Sequence, residues 1–118
     1  AVWRAEEAEV GDPLIENLEA LHAKGTDNPG LRLALASRYL ASGNSTAAVR
    51  HAEAAVALDP QYSAGWKALG RAREAAGAAV EATQAYERGI AVAEERGDQQ
   101  AAKEMRVFVR RLAKAAPR

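Results

Sequence analysis

Residues 32–60 read RLALASRYLASGNSTAAVRHAEAAVALDP, and residues 66–94 read WKALGRAREAAGAAVEATQAYERGIAVAE. The two stretches stand 34 positions apart and carry the same punctuation: Leu35, Gly43, Ala48, Val56 and Leu58 recur as Leu69, Gly77, Ala82, Ile90 and Val92. Each copy breaks at its glycine into two helical runs, so the repeating unit is a helix–turn–helix. One such unit cannot bury its apolar face alone. It has to stack on neighbours, and a stack of this kind curves and offers a concave surface.

Turn chemistry extends the reading to both ends. Asp12-Pro13 provides a helix N-cap followed by proline at the first helical position. Leu14, Leu18 and Leu21 then form one apolar stripe, and Lys24-Gly25 closes the helix. Asp27, Asn28 and Pro29 open a second helix that runs to about Ser42. Asn44 or Ser45 caps a third, which ends at Asp59-Pro60. A fourth covers about 62–76 and a fifth about 78–95, each stopped by a glycine. Asp98 caps the last helix, whose stripe is Ala101, Met105, Phe108, Val109 and Leu112, ending before Pro117. Roughly a quarter of the residues are alanine and nothing alternates with period two, so the fold class is all-α.

The second copy, with Trp66, Leu69-Gly70, Gly77, Ala82 and Tyr86, resembles the signature of the tetratricopeptide repeat. The first matches it through Leu35-Ala36, Tyr39, Gly43, Ala48, Ala55 and Asp59-Pro60. The resemblance implies a right-handed superhelix of about six antiparallel helices. Its expected divisions are a half repeat over 12–28, repeats over 29–62 and 63–97, and a capping helix over 98–118. Residues 1–11 are an N-terminal tail. In such a repeat Ala48 and Ala82 mark close helix approaches, and Trp66 fills the gap between the two helices of its own unit.

The chain also departs from the pattern. Arg32 stands in place of the first tryptophan, Arg73 in place of the second tyrosine, and Gly89 in place of an alanine. Glu94 replaces the closing proline, so the fifth helix is expected to run on by about half a turn. The ending GDQQAAKEMRVFVRRL is similar to that of small bacterial members of the family.

Composition narrows the function classes. Sixteen basic and 16 acidic residues cancel, which leaves no general basic stripe for nucleic acid or for an anionic membrane. There is no cysteine, so thiolate metal sites and disulfides are ruled out. No apolar run approaches the roughly 18 residues of a membrane span. The N-terminus has acids where a signal peptide needs cations, so the cytoplasm is the default compartment, with the periplasm open if a signal has been removed.

No catalytic constellation emerges. His22 and His51 lie on different helices without a second His at ligand spacing, and each reads as a surface or helix-end imidazole. Ser45 and Thr46 sit at a helix start, where hydroxyls cap amides. Gly65 and Gly70 belong to the repeat pattern and follow no strand. The expectation is a protein that is not an enzyme and needs no cofactor or metal.

Recognition is the better candidate. In the family, the first helix of each repeat lines the concave groove through its second, fifth, ninth and twelfth positions. Carried over, these are Gly30, Leu33, Ser37 and Leu40, then Ala64, Lys67, Arg71 and Glu74. The family's carboxylate clamp uses lysine at the fifth position and asparagine at the ninth. The asparagine is missing here both times, which argues against chaperone tails as ligand. What remains is an apolar part (Leu33, Leu40) beside a cationic part (Lys67, Arg71), with Ser37 and Glu74. Such a groove suits the stripe and acids of a partner helix or extended segment. The same residues also suit a solvated Lys67–Arg71–Glu74 face and ordinary packing of the leucines.

Trp3, with Val2 and Val10, belongs either to a disordered tail or to a segment folded over the first helix. The cations Lys103, Arg106, Arg110, Arg111, Lys114 and Arg118 suit the C-terminal end of a helix dipole and a polar outer face. The expected function is a non-catalytic module binding a peptide or helix of another protein, as a monomer or weak homodimer. The alternatives are a chaperone or assembly factor for a secretion or pilus-type system, and a self-associating structural module.

Overall fold

Among the described residues, four of the six helices begin with a side chain that takes up a free amide. Asp12 accepts from the Leu14 amide (2.9 Å), Asn28 from Leu31 (2.8 Å), Asn44 from Ala47 (3.1 Å) and Asp98 from Ala101 (3.1 Å). The computed structural model describes residues 12–116. It contains α1 (Pro13–Ala23), α2 (Pro29–Ala41), α3 (Ser45–Leu58), α4 (Ser63–Ala75), α5 (Ala79–Glu95) and α6 (Gln99–Ala115). The readings placed on residues 1–11, including Trp3, lie outside the described residues.

The turns inside the two hairpins share one geometry. Gly43 and Gly77 adopt φ of 86° and 80°, a region that favours glycine. This lets Asn44 and Ala78 donate back to Tyr39 and Arg73 carbonyls, both at 2.9 Å, and closes α2 and α4. α3 ends instead at Asp59-Pro60. α5 has no proline to stop it and spans 17 residues against 14 for α3, so it runs on as Glu94 suggested but further than the half turn expected.

Sequence neighbours pack against one another, and α4 also touches both α2 and α6, while α3 and α5 do not meet. The helices therefore form two layers. An inner layer of α2, α4 and α6 is continuous, and an outer layer of α3 and α5 is splayed, so the stack curves with α2, α4 and α6 on its concave side. All-α architecture and the superhelical layering both agree with the sequence reading.

Close packing is achieved with small residues. One cluster joins Ala36, Ala52, Val56, Leu69 and Ala85, with Trp66 against it. A second joins Ala82, Tyr86, Ala93, Ala102 and Met105, with Phe108 and Leu112 against it. Ala48 and Ala82 are fully buried, as their repeat positions require. Trp66 donates from Nε1 to the Pro60 carbonyl (2.8 Å) and lies under the Arg88 guanidinium.

Gly89 departs from the repeat pattern because α6 comes so close. A Cβ at this position would stand 2.5 Å from Met105 Sδ and 2.9 Å from Trp66 Cβ. Gly89→Ala is therefore expected to destabilise the protein by about 1–3 kcal/mol through overpacking. This holds even though alanine is the better helix former by about 1 kcal/mol. Urea unfolding measures the change, and a stabilised variant would contradict the close approach.

α1 is attached differently. It has no buried residue, and Leu14 and Leu21 remain 44% and 47% exposed, so its apolar stripe is only partly covered. Polar contacts supply much of the attachment. Asp12 pairs with Arg38 of α2 at 2.5 Å. The Leu14 amide, and then Arg38, hold the Asp12 carboxyl below its usual range.

The second attachment corrects the reading of His51 as a surface or helix-end imidazole. Its residue is only 3% exposed. Arg32, in the tryptophan position of the first repeat, reaches between α1, α2 and α3. It donates from Nη1 to His51 Nδ1 (2.9 Å), from Nη2 to His22 Nε2 (2.8 Å) and from Nε to Asp27 Oδ1 (2.8 Å). His51 stacks on Tyr39 at 5.4 Å between ring centroids and 3° between planes. A guanidinium thus fills the space of an indole by gathering polar neighbours around it.

Candidate functional site

The concave layer brings α2, α4 and α6 side by side, and two adjoining depressions run along it. The smaller, about 170 Å³, is lined by Leu33, Ala36, Ser37, Leu40, Ala64, Lys67, Ala68 and Arg71. The larger, about 520 Å³, is lined by Leu40, Lys67, Arg71 and Glu74 of α2 and α4. Ala75, Tyr86, Phe108 and Arg111 complete it. Leu40, Lys67 and Arg71 belong to both.

The structure thus brings Leu33, Ser37, Leu40, Lys67, Arg71 and Glu74 onto one surface. Gly30 lines neither depression, whereas Ala64 lines the smaller. Leu33 and Leu40 are half-buried and present part of their surface to the groove.

The charge pairing differs from the Lys67–Arg71–Glu74 face that helical spacing suggested. Lys67 crosses to α6 and donates from Nζ to Glu104 Oε2. That bond holds the Glu104 carboxyl below its usual range, with Gln100 adding to it. Glu74 also crosses to α6, accepting from Arg111 Nη2 at 2.8 Å on each oxygen. Its Oε1 further accepts from the Tyr86 hydroxyl at 2.6 Å. Burial, and then this bond to Glu74, push the Tyr86 phenol well above its ordinary value. Arg111 lies over the Phe108 ring, 5.2 Å from its centroid.

Two ion pairs therefore tie α4 to α6 on either side of the larger depression. Between them Arg71 is exposed, and it makes no hydrogen bond or ion pair among the described residues. The groove's available cation is Arg71, while Lys67 is already engaged.

Phe108, Arg111, Tyr86 and Glu104 complete the site and were absent from the sequence reading of it. For Phe108 a signal exists: Leu40, Glu74 and Phe108 are spaced by 34, so the repeat register continues into α6 at this position. Arg111 and Glu104 carry no such signal. The remaining α6 cations divide: Arg106 pairs with Glu94 at 2.6 Å, and Lys103, Arg110 and Lys114 are exposed.

A family model described as tetratricopeptide repeat matches residues 29–72. A TPR repeat-containing protein of Pseudomonas aeruginosa is 51% identical over 102 residues, covering 86% of this chain and 97% of that protein. The chain is a tetratricopeptide-repeat protein. Solved structures agree. The solution structure of a Bordetella parapertussis protein is 46% identical, with a TM-score of 0.75 over 86% of this chain and 88% of that one. The solution structure of a tetratricopeptide repeat domain protein of Salinibacter ruber is 28% identical. Its TM-score is 0.72 over 78% of this chain and 93% of that one.

Tetratricopeptide repeats generally mediate protein–protein interaction and are generally non-catalytic. Membership therefore directs attention to the groove as a recognition surface. Among the described residues no helix is long and apolar enough to cross a membrane.

Proposed function

We propose that the concave face of this tetratricopeptide-repeat protein binds a helical or extended segment of a partner protein carrying apolar side chains and at least one carboxylate. The observation that carries this reading is the position of Arg71, an exposed guanidinium between the apolar surfaces of Leu40 and Phe108. A carboxylate meeting Arg71 gains a two-pronged, charge-assisted bond, and apolar side chains beside it cover Leu33 and Leu40. Ser37 offers a hydroxyl on the groove wall. Lys67 and Glu74 support the site by fixing α6 against α4, which presents Phe108 and Arg111 to the ligand. In this reading α1 takes the place of the second helix of a preceding half repeat over 12–28. Repeats over 29–62 and 63–97 and a cap over 98–118 follow it.

Affinity capture from a native lysate tests the proposal with three baits: wild type, Arg71→Glu, and Lys67→Glu/Arg71→Glu. Arg71→Glu reverses the available cation without touching an internal ion pair. It is expected to reduce partner recovery at least tenfold, the size of losing one charge-assisted contact of about 1.5–3 kcal/mol. Gln84→Glu, on the exposed surface of α5, serves as control and should retain the partner. Equal recovery with Arg71→Glu and wild type would refute groove binding.

A further inference from the structure

The cluster between α1 and the first hairpin has a protonation requirement built into its geometry. A guanidinium can only donate hydrogen bonds, so each ring nitrogen facing Arg32 has to accept. His51 Nδ1 (2.9 Å) and His22 Nε2 (2.8 Å) can do so only while unprotonated. We propose that this cluster is an acid-opened clasp: at neutral pH it fastens α1 to α2 and α3, and proton uptake by the buried His51 releases α1.

Every element packed around the imidazoles contributes a charged or titratable group. α1 contributes Glu19 and His22, the α1–α2 connection Asp27, α2 Arg32 and Tyr39, and α3 Arg50 beside His51 itself. With both imidazoles neutral, the two carboxylates balance the two guanidiniums. With His51 protonated, the cluster gains a positive charge on a buried ring.

Glu19, and more weakly Asp27, favour a charged His51. Glu19 Oε1 lies 3.2 Å from Nε2, yet neither buried atom has a well-aligned hydrogen bond. Burial, the largest influence, together with Arg32 and Arg50, outweighs Glu19 and makes His51 harder to protonate in the closed form.

The sign follows from linkage. In the opened form His51 protonates at the ordinary histidine value of about 6.5, and in the closed form only below it, so the opened form holds more protons in acid. The clasp is intact above that value and weakens as pH falls through it. Opening is local because α1 has no buried residue to hold it once Arg32 loses its acceptors. The Asp12–Arg38 pair does not share this pH dependence, since the Asp12 carboxyl titrates below the usual carboxylate range. The released helix uncovers Arg32 of α2 and, behind it, the stacked Tyr39 and His51.

Amide hydrogen exchange of the intact chain at pH 7.5 and 5.5, corrected for the intrinsic pH dependence of exchange, tests the clasp. Protection over residues 13–23 is expected to fall by up to about tenfold, since pH 5.5 lies one unit below the ordinary histidine value at which the opened form takes up its proton, while α4 and α5 keep theirs. In His51→Asn, the amide oxygen stands where Nδ1 stood, still accepts from Arg32 and cannot titrate, so the fall should vanish. Should the buried substitution impair folding, a pH titration of the wild-type chain decides, because His51 must take up its proton over the same range in which α1 loses protection. Nitrogen shifts of the wild-type imidazoles must also show His51 Nδ1 unprotonated at pH 7.5. Equal corrected protection of α1 at both pH values would overturn the clasp. So would a loss spread evenly through α4 and α5, or a full fall retained in His51→Asn. None of these outcomes depends on the groove.

Discussion

Tyr86→Ala is expected to lower the free energy of unfolding by about 3–5 kcal/mol, the range for truncating a buried aromatic to alanine. Tyr86 is fully buried and is the largest side chain at the centre of the second core cluster. Its ring lies against Gly70, where a Cβ would come within 3.0 Å of three ring carbons, so residue 70 has no side chain to fill the space on that side. It also packs on Phe108 at 5.2 Å between centroids and 49° between planes. Removing the ring opens a cavity and takes the hydroxyl from Glu74.

Tyr86→Phe separates the two contributions. It keeps the ring and leaves Glu74 bonded to Arg111, so it should cost only about 1–2 kcal/mol. Urea unfolding followed by circular dichroism measures both. The same environment sets a pH dependence. The Tyr86 phenol is raised above its ordinary value of 10.0 in the folded chain, so the unfolded chain loses that proton first. Stability should therefore fall as pH climbs past 10, and Tyr86→Phe should lack that part of the fall. A cost below about 1 kcal/mol for Tyr86→Ala would mean the second cluster is not the packed unit described.

Met105→Ala is the second large effect, at about 2–5 kcal/mol. Met105 is fully buried and inserts from α6 onto the backbone of α5 at Gly89. The absence of a Cβ at residue 89 and the length of the methionine are two parts of one fit. Truncating Met105 leaves that hollow empty and removes the main anchor of α6. The Lys67–Glu104 and Glu74–Arg111 pairs stay available but are too exposed to hold the helix alone. Hydrogen exchange should localise the loss to α6 and its contacts with α5. A uniform loss across α2 and α3 as well would contradict the repeat-by-repeat character of the stack.

The helices were legible because their ends are written in local chemistry. Asn28-Pro29, Asn44 and Asp98 cap within a few residues of themselves, and Gly43 and Gly77 supply the turns. The inner layer was also legible, since the 34-residue register places Leu33, Leu40, Lys67 and Arg71 on equivalent faces. Pairings across helices were not. Spacing along α4 set Lys67 beside Arg71 and Glu74, but its partner Glu104 lies 37 residues away on α6, as Arg111 does from Glu74.

Arg32 shows the same limit from another side. It registered as a departure from tryptophan, yet its contacts stand 5, 10 and 19 residues away on three different elements. No periodicity announces such a cluster. For this reason His51 read as a surface residue, when its ring is buried against Tyr39.

The central claim is that partners dock on the concave face of α2, α4 and α6, with Arg71 as the charged contact. The most direct test is amide chemical-shift mapping, titrating the labelled protein with a partner segment recovered by the wild-type bait. The account predicts the largest shifts at Leu33, Ser37, Leu40, Arg71 and Phe108, and loss of the response in Arg71→Glu. Shifts centred on the outer surfaces of α3 and α5, unchanged by Arg71→Glu, would contradict it.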